Sequence, residues 1–207
     1  MDFVFVTTGT SAITNEHIGT VTKSDKSSLR PQVKLYLQDP TKKPERWTTL
    51  QNQLIQEHKS YWDQTKEYVE SKRNFLRTSA ELVSTVLFVR QMGLAPRCIV
   101  LISSDTEDCW MAAQVNAAVM APLFPEAKVV AERIPDLTLD FNLLKGALET
   151  VVNKYHRNEN DPAYINITGG FKGTVALMTL LALRGGWKLF YQHDTRDEPV
   201  LIDLKKI

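Results

Sequence analysis

The chain reads as an α/β protein built on a doubly wound, mostly parallel sheet with helices on both faces. Two observations carry this. Short continuous apolar runs rich in β-branched residues alternate with stretches whose apolar residues recur every three to four positions. Clusters of Gly, Ser and Thr sit where several of those runs end. Continuous apolar strands need cover on both faces, and right-handed crossovers supply it, so the expected fold is a Rossmann-like sandwich.

Residues 2–8 (DFVFVTT) open the chain as a buried strand. Residues 20–45 are polar, and Pro31, Pro40 and Pro44 argue against long regular structure there. Trp47, Leu50, Leu54, His58, Tyr61, Thr65 and Tyr68 form one stripe of an amphipathic helix. Leu76, Ala80, Val83, Leu87 and Arg90 mark a second helix, closed by Gly93. Residues 97–103 are the next strand, and Thr106 opens an Ala-rich helix that ends at Pro122. A strand over 128–131 precedes a helix over 141–155, with Leu144, Leu148, Val151, Val152 and Tyr155 on one side. Residues 163–167 are a fourth strand, and 173–184 an apolar helix stopped by Gly185 and Gly186. Two last strands, 187–191 and 199–204, suggest a hairpin.

Composition narrows the function classes. The 207 residues are 43% apolar and 24% charged with a net charge of +1, which suits one domain with its own core. Near-neutral charge argues against coating long nucleic acid or an anionic membrane, although residues 21–78 carry +5 and residues 103–161 carry −5. No apolar run reaches the ~18 residues of a membrane span, and the first residues lack the basic flank of a signal peptide. Cys98 and Cys109 have no partners at metal-ligand spacing, and His17, His58, His156 and His193 are scattered. Reduced thiols in a cytoplasmic protein are expected, with no metal or cofactor.

In open α/β sheets ligands sit beyond the carboxyl ends of the strands. Three loops should emerge there: Thr7-Thr8-Gly9-Thr10-Ser11, Ser103-Ser104-Asp105-Thr106, and Thr168-Gly169-Gly170-Phe171-Lys172-Gly173-Thr174. Each leads toward a helix N-terminus, where N–H groups favour anions. Gly9, Gly169 and Gly170 permit close backbone approach, the hydroxyls of Thr8, Thr10, Ser11 and Thr168 can donate to phosphate, and Lys172 supplies a cation. The same residues are also ordinary turn and cap chemistry. The Walker pattern, the dinucleotide fingerprint and the hydrolase nucleophile elbow are all absent.

TTGTS followed by TN at 14–15, SAEL at 79–82, LISSDT at 101–106, INITGGFKG at 165–173 and the terminal YQHD…PVLIDL occur in that order. Together they resemble the CRISPR-associated Rossmann fold (CARF) domain of type III CRISPR systems, in the branch that holds standalone ring nucleases and the sensor domains of ancillary ribonucleases. The resemblance runs from residue 2 to about 204, with little of it in residues 20–70. It implies a cytoplasmic, prokaryotic homodimer that binds cyclic oligoadenylate across its two-fold axis. By motif position the cleavage residues of the ring nucleases fall on Ser11 and Lys172. A chain of 207 residues leaves no room for an effector domain, so degradation of the messenger, with cyclic tetra-adenylate the preferred ring, is expected over sequestration by a non-catalytic sensor or sponge.

The expected chemistry needs no metal: a ribose 2′-hydroxyl attacks its own 3′-phosphate, and the protein positions it and stabilises charge. Ser104, Asp105, Thr106 and Phe171 belong to the ligand-binding loops on this reading, with Asp105 the residue that caps its helix, and Arg133 reaches the ligand from the end of the third strand. With no His or carboxylate placed for proton transfer, turnover should be slow. Residues 21–78 form a lid over the ring or, preferably, helices at the dimer interface. A nucleotide or sugar-phosphate enzyme on the same fold is the more distant alternative.

Overall fold

A computed structural model describes residues 2–14, 29–64, 79–134, 140–193 and 198–202. The strands are β1 (Asp2–Thr7), β2 (Pro96–Ser103), β3 (Lys128–Arg133), β4 (Ala163–Asn166), β5 (Lys188–Tyr191) and β6 (Val200–Ile202). The helices are α1 (Ser11–Thr14), α2 (Arg30–Gln38), α3 (Pro44–Gln64), α4 (Ala80–Gln91), α5 (Glu107–Met120), α6 (Phe141–Tyr155) and α7 (Lys172–Gly185). The sheet order is β3-β2-β1-β4-β5-β6, parallel except for the β5–β6 pair. The expected α/β architecture is borne out, hairpin included; residues 194–197 of its connection lie outside the described residues.

Strand alternation divides the core into two faces. Phe3, Phe5, Val100 and Ile102 point to α6 and α7, whose Leu144, Leu148, Leu177 and Met178 complete that layer. Val4, Val6, Ile99 and Leu101 point the other way, to Leu82 and Val86 of α4 and Ala113 and Val119 of α5. A third cluster, Ala12, Ile13, Val33, Tyr36, Leu50, Leu54, Met111 and Val115, packs α1, α2 and α3 against α5.

Helix α2 corrects the expectation for residues 20–45. Pro31 falls in the first helical turn, where its missing N–H costs no intrahelical bond, so it starts the helix instead of breaking it. The turn to α3 is held by Asp39, which accepts from the Thr41 N–H at 2.9 Å, the Thr41 hydroxyl at 2.8 Å and the Trp47 indole at 2.9 Å. Those donors, led by the Thr41 backbone, hold the Asp39 carboxyl down at about 2. The stripe in α3 is real: Leu50, Leu54 and His58 are buried. Its continuation at Thr65 and Tyr68 lies outside the described residues, as do 21–28 and 65–78 of the segment 21–78 read as a lid or interface element.

His58 joins α3 to α1 through a hydrogen bond from Nε2 to the Ala12 carbonyl, 3.0 Å. Burial pushes its pKa below the ordinary value of about 6.5. The unfolded chain therefore binds this proton more readily than the folded one. The stability contributed by neutral His58 is complete above about pH 6.5 and is lost as pH falls from there through the lowered folded-state value. Denaturant midpoints at pH 7.5 and 5.5 should drop more for wild type than for His58→Asn; an equal drop would remove His58 as the cause.

Candidate functional site

The chain runs from β1 to β2 and β3 on one side of the sheet, then crosses to β4 on the other side of β1. The strand order therefore reverses between β1 and β4, where a crevice is expected. The first and third predicted loops meet there. A side chain added at Gly9 would start 3.1 Å from the Gly170 nitrogen, so the two backbones touch. Gly170 has φ +105° and its missing Cβ would lie 2.8 Å from that of Thr7, which requires glycine on both counts. The Thr7 hydroxyl stitches the loops together by donating to the carbonyls of Gly169 and, at 3.1 Å, Asn166.

A residue that sequence reasoning did not single out lies at the centre. Glu81 belongs to the SAEL motif, in the first turn of α4, and is 1% exposed. Its Oε1 accepts from the Gly9 N–H at 2.7 Å. Its Oε2 accepts from the Ser79 hydroxyl at 2.7 Å and from the Ser11 hydroxyl. Gly169 must be glycine because a Cβ there would lie 2.6 Å from the Glu81 carboxyl carbon. The expectation that no carboxylate stands near the site is thus corrected: Glu81 is bonded to Ser11.

Asn166 is the second residue missed. Wholly buried at the end of β4, it donates to Ser84 Oγ at 2.7 Å and Thr85 Oγ1 at 2.9 Å, while its Oδ1 accepts from the Thr168 N–H at 2.9 Å. This ties the third loop to α4. An amide closing an otherwise apolar strand, and an acid two residues past a capping serine, were the available signals.

The other predicted residues divide. Ser11, partly exposed, is the first residue of the single-turn α1 and accepts from the Ala80 N–H at 3.2 Å. Gly9, Thr10, Thr168, Gly169 and Gly170 are partly accessible; the Thr168 hydroxyl accepts from the Gln192 N–H at 3.0 Å. Phe171 and Lys172 are exposed at the start of α7, where Phe171 occupies the N-cap position and supplies no side-chain cap. The Thr8 hydroxyl turns inward: it is buried and donates to the Val6 carbonyl at 3.5 Å.

The second loop leaves β2 beside the first, whose Thr8 N–H donates to the carbonyl of Ile102, the residue before that loop, at 2.8 Å. Thr106, not Asp105, caps α5, accepting from the Cys109 N–H at 3.3 Å. A hydroxyl at Thr106 has the side-chain reach to turn back on that N–H, which leaves Asp105 in the bend before the cap. Ser104 is buried and bonds the Thr106 hydroxyl at 3.2 Å. Arg133 does stand next to this loop, but its guanidinium is engaged by Glu107 at 2.8 Å and by the Asp105 carbonyl. Among the described residues no group of three or more His, Cys, Asp or Glu could hold a metal ion, and no helix is long and apolar enough to cross a membrane. Both cysteines are free, and burial raises the Cys98 thiol to about 11.

Comparison with known proteins gives a family and a distant structural neighbour. A structure of Enterococcus italicus Csm6 bound to cyclic hexa-2′-fluoro-hexa-dAMP is similar at a TM-score of 0.43 and 14% identity, over 59% of this chain and 37% of that one. The chain thus spans little more than a third of that protein. Comparison with curated proteins finds no match. The sequence profile of the CRISPR-associated family Cas_APE2256 matches residues 76–204, which include SAEL, LISSDT, INITGGFKG and the terminal hairpin but not the loop of Gly9 and Ser11. That match spans more than half of the chain, and with it the protein belongs to the CRISPR-associated Cas_APE2256 family.

Proposed function

We propose that the protein is a ring nuclease: a homodimer that binds cyclic oligoadenylate, cyclic tetra-adenylate first among the rings, and opens it without a metal. The observation that carries this reading is the meeting of the Gly9 and Gly169–Gly170 loops at the strand switch point, with Ser11 and Lys172 at its rim. Glycine backbones that can approach a ligand closely, with a lysine beside them, suit a phosphodiester. Membership of a CRISPR-associated family supports a nucleotide messenger of that prokaryotic system as the ligand. On this reading the protein acts in the cytoplasm and ends an antiviral signal.

The reaction supplies its own nucleophile. The ribose 2′-hydroxyl attacks the adjacent 3′-phosphate in line, so the protein's part is to hold that geometry and to offset the charge that builds on phosphorus-bound oxygens. Lys172 provides the charge, with the N–H groups at the start of α7 beside it. Ser11 holds the reacting ribose. Asp105, Thr106 and Arg133 contact the ring through the second loop, with Arg133 giving up part of its bonding to Glu107.

On this reading a second copy of the chain covers exposed apolar side chains of α6 and α7. Leu180 and Leu183 on α7 are 52% and 49% exposed, Phe171 at its N-cap is 50% exposed, and Phe141 and Leu143 are exposed on the adjacent α6. A copy seated on that face brings its own glycine loops toward a shared ring. Light scattering should show a wild-type dimer and a Leu180→Glu monomer with weakened ring binding; a variant as dimeric as wild type would move the interface elsewhere.

The reading itself is tested by equilibrium binding of labelled cyclic tetra- and hexa-adenylate. Saturable binding of one ring per dimer is expected. Failure to bind any oligoadenylate would favour a nucleotide or sugar-phosphate enzyme instead.

A further inference from the structure

Glu81 is a buried acid where the first and third loops meet at the candidate site. Burying a carboxylate is costly unless its oxygens are satisfied, and here a backbone N–H and two hydroxyls satisfy them. The consequence falls on Ser11. A serine hydroxyl has one proton and two lone pairs. The Ser11 proton is directed to Glu81, with Ser79 Oγ a longer second acceptor at 3.3 Å, and one lone pair accepts from the Ala80 N–H. What remains for a ligand is a lone pair. Held this way, Ser11 accepts a hydrogen bond from a ribose hydroxyl and does not donate one to a phosphate oxygen.

We propose that Glu81 is a positioning residue that orients Ser11 to accept the ribose 2′-hydroxyl and receives the proton Ser11 relays, a role that rests on the ring-opening reading. In that step the 2′-O–H proton passes to Ser11 Oγ while the Ser11 proton passes to the Glu81 carboxylate. The electron pair left on the 2′-oxygen forms the bond to phosphorus. The bond from phosphorus to the 5′-oxygen breaks, and that oxygen takes a proton from water. The products are a 2′,3′-cyclic phosphate and a 5′-hydroxyl, and Glu81 returns its proton to solvent.

The test is a double-mutant cycle on the full chain with labelled cyclic tetra-adenylate, reading kcat and KM. Glu81→Gln keeps the shape and an acceptor for the Gly9 N–H but turns an amide donor toward Ser11. Its kcat should fall about 10²-fold while KM changes less than about threefold. The Glu81→Gln/Ser11→Ala chain should be no slower than Ser11→Ala alone, because the two residues act as one unit. Multiplicative losses, or a Glu81→Gln chain as fast as wild type, overturn the proposal. Should Glu81→Gln fail to fold, wild type and Ser11→Ala decide the matter with a ring of 2′-deoxyadenosines. Wild type should bind that ring about tenfold more weakly than the ribose ring, and Ser11→Ala should erase the difference. Equal binding of both rings by wild type overturns the role of Glu81 and leaves the nuclease reading standing. A wild-type chain that opens no ring overturns that reading, and this role with it.

Discussion

Lys172→Ala should slow single-turnover ring opening by about 10²–10³-fold, the usual loss when one donor aimed at developing negative charge is removed. In-line attack concentrates charge on the non-bridging oxygens of one phosphate. An ammonium group next to that phosphate stabilises the transition state more than the bound ring, whose charge is spread over all its phosphates. Ring affinity should therefore fall much less than the rate. Lys172 is exposed at the first position of α7, so its removal leaves no cavity and no buried group without a partner. A loss of activity with an unchanged melting temperature is then chemical and not structural. Equal losses in affinity and rate would make Lys172 a binding contact only, and an unaffected rate would remove it from the mechanism.

Gly169→Ala should instead dismantle the site through the fold. Its new Cβ would lie 2.6 Å from the Glu81 Cδ and 2.8 Å from its Cγ. Glu81 is 1% exposed and its Oε1 holds the Gly9 N–H at 2.7 Å, so the side chain cannot swing aside without loss. Either the carboxylate moves and leaves Gly9, Ser11 and Ser79 without their acceptor, or the loop moves and breaks the bond from Thr7 to the Gly169 carbonyl. Overpacking and a lost buried acceptor together cost about 3 kcal/mol, a drop of roughly 6–12 °C in Tm for a chain of this size. Gly146→Ala is the control. Nothing lies within 4 Å of its would-be Cβ on α6, so it should be neutral or add up to about 1 kcal/mol. A Gly169→Ala chain as stable as wild type, with its ring binding intact, would contradict this packing of Glu81.

These two residues also mark how far the sequence could be read. The helix over Phe141–Tyr155 was legible to the residue, because Leu144, Leu148, Val151 and Val152 face one core and Asp140 caps its start. The glycine loops were legible because turn residues after buried strands in a parallel sheet must gather at one edge. Helix α2 was not, because Pro31 breaks a helix interior but begins a helix equally well, and the choice depends on Val33 and Tyr36 finding cover against α3 and α5. Glu81 was hidden for a related reason. An acid in the first turn of a helix reads as a solvated partner of the dipole. Only the crossover that lays α4 against the Gly9 loop turns it into a buried acceptor for groups some 70 positions away in the chain. The partners of Arg133 were hidden in the same way: only the register that pairs it with Ser103 puts its guanidinium against Glu107 and the Asp105 carbonyl.

The most direct test of the central claim is to incubate the purified full chain with labelled cyclic tetra-adenylate in EDTA and identify the products by mass spectrometry. Ring opening by the 2′-hydroxyl predicts linear oligoadenylate ending in a 2′,3′-cyclic phosphate and a 5′-hydroxyl, formed at the same rate with and without the chelator. A ring that stays intact while tightly bound would contradict the account and make the protein a sensor or sponge.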